Sequence, residues 1–315
     1  MRSFRSTALG AALLALALVA AACAEEEPGG GGKTPAGETI ASQLTLGGPP
    51  ECPERPFCIP GFKETYGIEF GEFKPLDVGG PLTVEALKNG DIDVALLFST
   101  SSVIGDEGWV VLEDDKNFQA AENITPVVRT EVLDDTITER LNAISAALTT
   151  EIVTELNGRV EIHGEDPDGV AADFLESEGL LEGPTGSGEI TVGAVAFAEN
   201  QIVGEMYAQT LEEAGYTVNR QFTLDSREIL QPAIESGEID IAPEYLASLL
   251  LFLDPEAEAT GDPENNRSLL EPLLGEKAQT LLESSEANDT NALVVTQETA
   301  DQYGLSTTSD LAKSA

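Results

Sequence analysis

The sequence predicts an α/β protein built from two similar lobes. Short β-rich runs alternate with segments whose apolar residues recur at helical spacing, which is typical of α/β domains with a largely parallel sheet. A weak internal repeat predicts the two lobes, because residues 86–95 (ALKNGDIDVA) match residues 233–242 (AIESGEIDIA) at five positions. Chance similarity between two common helix-strand junctions is the alternative explanation.

Each copy of the repeat predicts the end of a helix, a glycine in the left-handed conformation and a short buried strand. Upstream of each copy, a strand runs into glycine at residues 44–48 and 190–193. The strand candidates are residues 43–46, 94–98, 110–112, 190–192, 239–242 and 292–295. Apolar stripes predict core-facing helices that contain Val132, Ile137, Leu141, Ile144 and Leu148, and Ile202, Met206 and Leu211.

The N-terminal segment predicts export. Arg2 and Arg5 precede an apolar run that is short for a membrane span, so residues 1–22 are interpreted as a signal peptide. Residues 19–23 (VAAAC) resemble a bacterial lipobox, in which Cys23 would receive lipid, although a plain signal peptide with a stray cysteine is the alternative. Residues 23–41 have the composition of a flexible tether, so we expect an extracytoplasmic lipoprotein anchored to the cell membrane.

Composition disfavours several classes of function. The chain has 57 acidic and 16 basic residues and a net charge of −41, which disfavours a nucleic-acid partner. The acidic residues are scattered, and this favours a solvated surface over a metal site. The single histidine, His163, is predicted to lie in an exposed loop, and no nucleophile elbow accompanies it. We therefore expect no enzyme activity, no cofactor and no metal.

Cys52 and Cys58 are the only cysteines after Cys23. In an exported protein such a pair most simply closes a small disulfide ring, with two free thiols as the alternative.

Ligands of open α/β sheets bind beyond the carboxyl ends of the strands, so two facing lobes would form a cleft. The segments expected to line it are residues 47–55, 98–102, 193–200 and 244–248. Within these segments the candidate ligand contacts include Phe98, Thr100, Phe197 and Asn200.

A set of short motifs supports a family resemblance. They are ITVG at 190–193, GEMYAQ at 204–209, GEID at 237–240, PEY at 243–245 and SDLAK at 309–313, with LTLGGPPE at 44–51, GFKETYG at 61–67, DIDVALLF at 91–98 and VLEDDK at 111–116. Together they resemble the substrate-binding proteins of glycine betaine, choline and proline-type ABC importers. The resemblance implies a two-lobed periplasmic-binding-protein fold of type II-like topology.

The order of the motifs implies a circular permutation of that fold. Residues 189–315 look like the family's first half and residues 42–182 like its second half, joined by a linker at 183–188. One lobe would comprise residues 123–288, and the other would combine residues 43–122 with 290–315. A truncated tandem, or an exchange of halves between two chains, would give the same order.

The resemblance also implies a site in which aromatic rings surround a quaternary ammonium group while an arginine and hydroxyl groups bind the ligand's carboxylate. Arg55 falls at the position of the arginine, Tyr245 and Ser248 match a Tyr-x-x-Thr motif, and Asp289 begins an Asp-Thr pair. Arg55 as a surface residue and Tyr245 as a core aromatic are the alternatives.

The aromatic cage is depleted in this chain. Asn291 stands where a tyrosine is expected, a second tyrosine expected near Ala121 or Glu122 is absent, and Val195 replaces a lysine. We expect a zwitterionic or carboxylate-bearing solute, with Glu122, Asp289 or Asn291 as partners of its cationic end.

The resemblance implies that the protein binds this solute for an ABC importer, with permease subunits and the lipid bilayer as further partners. A membrane-anchored sensor or scaffold that keeps the fold but has no transport role is the alternative function.

Overall fold

The computed structural model describes residues 38–77 and 79–315. The predicted signal peptide, Cys23 and most of the predicted tether therefore lie outside the described residues. Ten strands are present in the described chain: β1 Thr45–Gly48, β2 Glu72–Pro75, β3 Val94–Phe98, β4 Val110–Leu112, β5 Ile124–Arg129, β6 Glu189–Val195, β7 Thr217–Leu224, β8 Ile241–Tyr245, β9 Gln279–Leu281 and β10 Asn291–Val295.

The α-helices of the described chain surround two sheets. They are α1 Ile59–Gly61, α2 Pro81–Lys88, α3 Val103–Asp106, α4 Asp135–Ala147, α5 Thr150–Glu161, α6 Pro167–Ser177, α7 Ala198–Glu213, α8 Arg227–Ser236, α9 Leu246–Leu253, α10 Pro263–Glu276 and α11 Gln297–Tyr303. A π-helical turn at Phe62–Tyr66 continues α1, and 3₁₀ turns occupy Ala41–Gln43 and Thr308–Ala312. Among the described residues, no helix combines the length and apolarity that crossing a membrane requires.

The strands form two sheets of five, each at the centre of one lobe. One sheet has the order β2-β1-β3-β10-β4 and the other the order β7-β6-β8-β5-β9. We call the lobe around the first sheet the split lobe, because its strands come from both ends of the described chain. The lobe around the second sheet, within residues 123–288, is the contiguous lobe. This division into an α/β protein of two lobes is the one that the sequence predicts.

Four of the five strands in each sheet run in the same direction, as the sequence predicts, and one strand runs against them, β10 in the split lobe and β5 in the contiguous lobe. Strand β10 pairs antiparallel with β3 and β4, and β5 pairs antiparallel with β8 and β9. The antiparallel pairing follows from the place where the chain crosses from one lobe to the other. Strand β5 begins beside the cleft, where β8 ends, so Ile124 faces Tyr245 and the two strands run in opposite directions.

The described chain crosses between the lobes twice, and the two crossing segments lie side by side. Asn123 and Asn288 form an antiparallel bridge. The Asp289 N–H donates to the Glu122 carbonyl oxygen at 3.2 Å, and the Glu122 N–H donates to Asn288 Oδ1 at 2.7 Å. The lobes are therefore joined by a short two-stranded connection, which we call the crossing ribbon.

The internal repeat corresponds to equivalent structure in both lobes. Gly90 and Gly237 follow α2 and α8 with φ of 71° and 79°, as the sequence predicts. After each glycine, an aspartate accepts a hydrogen bond at 2.8 Å from a backbone N–H of the neighbouring strand, Asp93 from Thr45 and Asp240 from Thr191. The shared contact explains why the motif Gly-x-Ile-Asp recurs, since its acid fastens each helix-strand junction to the sheet.

A tight fit between neighbouring strands accompanies this contact in both lobes. A Cβ atom added to Gly47 would approach Ile92 Cδ1 to 2.4 Å, and one added to Gly193 would approach Ile239 Cδ1 to 2.6 Å. The strand glycines therefore leave room for the isoleucines of the repeat.

The predicted apolar stripes lie in the core of the contiguous lobe. Ile137, Leu141 and Ile144 of α4 are fully buried, and Met206 and Leu211 of α7 pack into the same cluster. Amphipathic helices of this kind cover one face of a sheet, so burial of their apolar side follows from the periodicity.

The two ends of the described chain meet in the split lobe. Thr39 and Ser314 form an antiparallel bridge, and the Ile40 N–H donates to the Lys313 carbonyl oxygen at 2.9 Å. In the same lobe Cys52 and Cys58 form a disulfide. The described residues closest to the chain's N-terminus are thus fixed beside its C-terminal residues.

Candidate functional site

A cavity of about 640 Å³ lies between the lobes. The split lobe contributes the end of β3, with Phe98 and Thr100, and the start of α2. The contiguous lobe contributes Phe197, Glu199 and Asn157. Asp289 of the crossing ribbon lines the cavity as well. The volume suits a small solute, and the position between lobes is where two-lobed folds bind ligands.

Two aromatic rings from opposite lobes face this interlobe cavity. Phe98 is 37% exposed and Phe197 is 42% exposed, unusually high values for phenylalanine. The Phe197 ring stacks on Tyr245, with ring centroids 6.2 Å apart and an interplanar angle of 29°. Tyr245 itself is buried, so it supports Phe197 rather than lining the cavity. The exposed faces of Phe98 and Phe197 can bind a cation or apolar groups.

Two carboxyl groups lie deep in the cavity and are held by neutral donors. The Tyr245 hydroxyl donates to Glu199 Oε1 at 2.8 Å, and Asn157 Nδ2 donates to Glu199 Oε2 at 3.0 Å. Thr100 Oγ1 donates to Asp289 Oδ1 at 2.6 Å. Glu199 is almost fully buried and Asp289 partly buried. These bonds fix both carboxyl groups in place without neutralising them.

Burial raises the pKa of both carboxyl groups. For Asp289 desolvation is the main cause, the nearby charge of Glu199 adds to it, and the pKa lies well above 3.8. For Glu199 desolvation again leads and raises the pKa above 4.5, while hydrogen bonds from Asn157 and Tyr245 oppose it. The two acids disfavour each other's ionisation, so a cation that enters the cavity would be stabilised by both.

A second buried acidic cluster lies behind the cavity, at the crossing ribbon. Glu122 accepts hydrogen bonds from the Ser248 hydroxyl at 2.6 Å and from the Ser248 N–H at 2.9 Å. Desolvation raises the pKa of Glu122 to about 7. Arg227 forms a two-pronged ion pair with Glu244, with a shortest distance of 2.7 Å. Glu122 and Ser248 thus fasten α9 to the crossing ribbon, and neither is among the residues that line the cavity.

The structure brings together four of the ten ligand-binding candidates predicted from the sequence, and they line the interlobe cavity: Phe98, Thr100, Phe197 and Asp289. Asn200 is buried and structural, since its Oδ1 accepts from the Val195 N–H at 2.7 Å and its Nδ2 donates to the Pro243 carbonyl oxygen at 3.1 Å. Asn291 borders a separate small cavity near Gln119.

Arg55 lies in the disulfide ring, and its closest acidic partner is Glu51 at 3.8 Å. It is not among the described residues that line the interlobe cavity. Its role with a ligand carboxylate therefore stays a prediction from the family resemblance.

Sequence reasoning missed Asn157, and it placed Glu199 in the predicted cleft segment 193–200 without naming it as a ligand contact. The sequence could have indicated Asn157, because this residue occupies the apolar face of α5 beside Val153 and Leu156, where a polar side chain needs a hydrogen-bond partner. Nothing in the local sequence marks Glu199 itself as a ligand contact, since an acid in the first turn of a helix is common for electrostatic reasons alone.

Comparison with known proteins identifies the class. Residues 33–177 and 188–315 match the family model described as the substrate binding domain of the ABC-type glycine betaine transport system. The chain belongs to this family. It is a family of substrate-binding domains rather than of enzymes, as the sequence predicts.

Relatives of known identity cover part of the chain. The chain is 34% identical over 151 residues to a glycine-betaine-binding protein of Pseudomonas aeruginosa, covering 44% of this chain and 46% of that protein. It is 31% identical over 124 residues to the carnitine transport binding protein OpuCC of Listeria monocytogenes, covering 39% and 40%. The chain thus matches less than half the length of these curated relatives.

Among solved structures, the probable amino-acid ABC transporter extracellular-binding protein ytmK of Bacillus subtilis is similar over 86% of this chain and 89% of its own. The TM-score is 0.45 at 11% identity.

Proposed function

We propose that the protein is an extracytoplasmic solute-binding lipoprotein of an ABC importer, which captures a small osmolyte of the glycine betaine, choline or proline type between its lobes. The observation that carries the proposal is the interlobe cavity, in which Phe98 and Phe197 come from opposite lobes. A ligand between these rings contacts both lobes at once, so binding favours their closed arrangement. Permease subunits in the membrane would then receive the loaded protein.

Isothermal titration calorimetry tests the binding function. The full chain, purified in detergent, is titrated with glycine betaine, choline chloride, proline and, as a control, sucrose. At least one of the first three should bind with a dissociation constant in the micromolar range or below, because the cavity can enclose a molecule of this size. Phe197→Ala should weaken that binding, while Phe252→Ala, which removes an exposed aromatic ring outside the cavity, should leave it unchanged.

The lipid anchor is a separate part of the proposal. It rests on the lipobox-like run that ends in Cys23 and on the acidic, glycine-rich segment after it. Cells that express the chain and receive labelled palmitate should incorporate label into it, and Cys23→Ala should abolish incorporation. A chain that is released from the membrane without ever carrying label would contradict the anchor and leave the binding function intact.

A further inference from the structure

The charges around the interlobe cavity have one sign. Four acidic residues line it, with Glu85 and Glu161 exposed at its rim and Glu199 and Asp289 deeper inside. Among the described residues of the lining there is no lysine, arginine or histidine. A ligand carboxylate placed here would face buried carboxyl groups without a counter-charge, which is unfavourable in a desolvated site.

Two of the nearby groups that could bind an anion are already paired. The start of α2 opens onto the cavity, but two of the first N–H groups of this helix, those of Leu82 and Thr83, donate to the Asp77 carboxylate at 2.9 Å each. An adjoining cavity of about 710 Å³ contains Arg159 and the exposed His163. The Arg159 guanidinium donates to both Glu165 and Asp173. Neither these N–H groups nor the Arg159 guanidinium therefore offers a free partner to a carboxylate.

Asn157 provides an independent indication of a ligand. Its side chain is only 4% exposed, and its Nδ2 donates to the Thr100 carbonyl oxygen at 3.1 Å and to Glu199. These two bonds fix the orientation of the amide group. Its Oδ1 is withdrawn from solvent and has no hydrogen-bond partner in the described structure. A buried acceptor left unpaired is costly, and a ligand that donates a hydrogen bond would satisfy it.

We propose that the ligand of this cavity is a small organic cation that carries an ammonium group and a hydrogen-bond donor and has no carboxylate. The ammonium group lies between the carboxyl groups of Glu199 and Asp289 and against the rings of Phe98 and Phe197, and the donor bonds to Asn157 Oδ1. This inference rests on the proposed solute-binding function and narrows its ligand from osmolytes in general to cations.

Calorimetry with three related probes tests the inference. The full chain in detergent is titrated at pH 7.5 with choline chloride, glycine betaine and tetramethylammonium chloride. Choline should bind at least about tenfold more tightly than betaine, since the betaine carboxylate finds no cation. Glu199→Gln and Asp289→Asn should each weaken choline binding by about tenfold or more, since each removes one buried carboxylate.

A matched control variant distinguishes direct contact with the ligand from a general effect of the protein's negative charge. Glu155→Gln removes one negative charge from α5, the helix that carries Asn157, at an exposed position outside this cavity. Choline affinity should change by less than about twofold, because the charge of Glu155 is exposed to solvent and is screened by salt. An effect of Glu155→Gln as large as that of Glu199→Gln would overturn the assignment.

Asn157 is tested through the difference between choline, which has a hydroxyl donor, and tetramethylammonium, which has none. The unaltered chain should prefer choline, and Asn157→Leu should remove the preference. Thermal unfolding of each variant identifies loss of folding. Betaine binding as tight as that of choline and insensitive to Glu199→Gln would overturn the inference and preserve the proposed function. Failure of choline, betaine and proline alike would overturn the proposed function itself.

Discussion

Arg55 is the residue for which family resemblance and geometry give different expectations. The resemblance makes it the partner of a ligand carboxylate, whereas the structure places it in the disulfide ring beside Glu51. We expect Arg55→Ala to change choline affinity by less than about twofold, because the guanidinium does not line the interlobe cavity. Calorimetry under the conditions used for the unaltered chain is the measurement. A loss of tenfold or more would return Arg55 to the site.

The raised pKa values of Glu199 and Asp289 predict how the affinity for choline depends on pH. Burial raises the pKa of both carboxyl groups, so protons occupy them over a wider acidic range than usual. A cation binds the ionised forms, and choline affinity should therefore rise as pH increases from about 5.5 to 8. Binding should also release protons, which calorimetry in buffers of different ionisation enthalpy measures. The other charged or titratable groups that face this pair are Glu161, Glu122 and Tyr245, and none of them reverses the direction.

The raised pKa of Glu122 predicts that the free energy of unfolding depends on pH. Its pKa of about 7 in the folded chain exceeds the ordinary 4.5, so between these values the folded state binds more protons than the unfolded state. Stability from this group is complete below pH 4.5 and is lost as pH rises through 7, by at most about 3 kcal/mol. Urea unfolding at pH 5 and pH 7.5 should show a smaller decline for Glu122→Gln than for the unaltered chain. Equal declines would contradict the assignment.

At the scale of elements, the glycines of the internal repeat form a natural matched pair. Both have positive φ, but a Cβ atom on Gly90 meets nothing within 4 Å, whereas one on Gly237 lies 3.0 Å from the Arg129 guanidinium carbon. Gly90→Ala should cost about 1 kcal/mol from backbone strain alone. Gly237→Ala should cost more, since it also displaces Arg129 from its 2.8 Å contact with Asp240. Denaturant unfolding of both variants tests this, and a larger cost at Gly90 would contradict it.

Some elements could be predicted from the sequence to the residue. Strands β3 and β4 have the predicted bounds, because each is a continuous apolar run that is followed by a polar residue, Ser99 or Glu113. Strands β2 and β7 lie at sheet edges and are partly exposed, so no alternating pattern marks them. Strand β5 contains Pro126, which argues against a central strand, yet it forms one. Tertiary pairing, which is invisible in a local pattern, decides these cases.

The candidate site was predictable where it follows from topology. Phe98 and Phe197 come directly at or after the ends of strands, and Asp289 was found through a family motif. The roles of Glu199 and Asn157 depend on which groups of the other elements they meet, and those contacts join residues 42 to 57 positions apart. Local sequence does not carry that information.

At the scale of the whole molecule, we propose that the order of the halves is a circular permutation. The Ala315 N–H donates to the Glu38 carbonyl oxygen at 3.0 Å, so a short connection can join these positions. A rearranged chain that begins at Gly183, continues through Ala315 and then runs over residues 38–182 should fold and bind choline with unchanged affinity. Beginning at Gly183 retains the hydrogen bond from Arg140 to Pro184. A rearranged chain that does not fold would contradict the proposal.

The same experiment distinguishes a permuted monomer from an exchange of halves between two chains. Light scattering coupled to size-exclusion chromatography gives the mass of each form. Both the natural and the rearranged order should have the mass of one chain, because each lobe is complete within it. A natural chain of twice that mass, with a monomeric rearranged chain, would indicate exchange.

The crossing ribbon has a mechanical consequence. Because the described chain passes between the lobes only there, any rotation of one lobe against the other must be absorbed by the backbone dihedral angles of the ribbon. Asp289 belongs to the ribbon and also lines the cavity. The residue that would bind a cation is therefore part of the hinge between the lobes. A ligand that fixes the carboxyl group of Asp289 also restricts the rotation by which the lobes open.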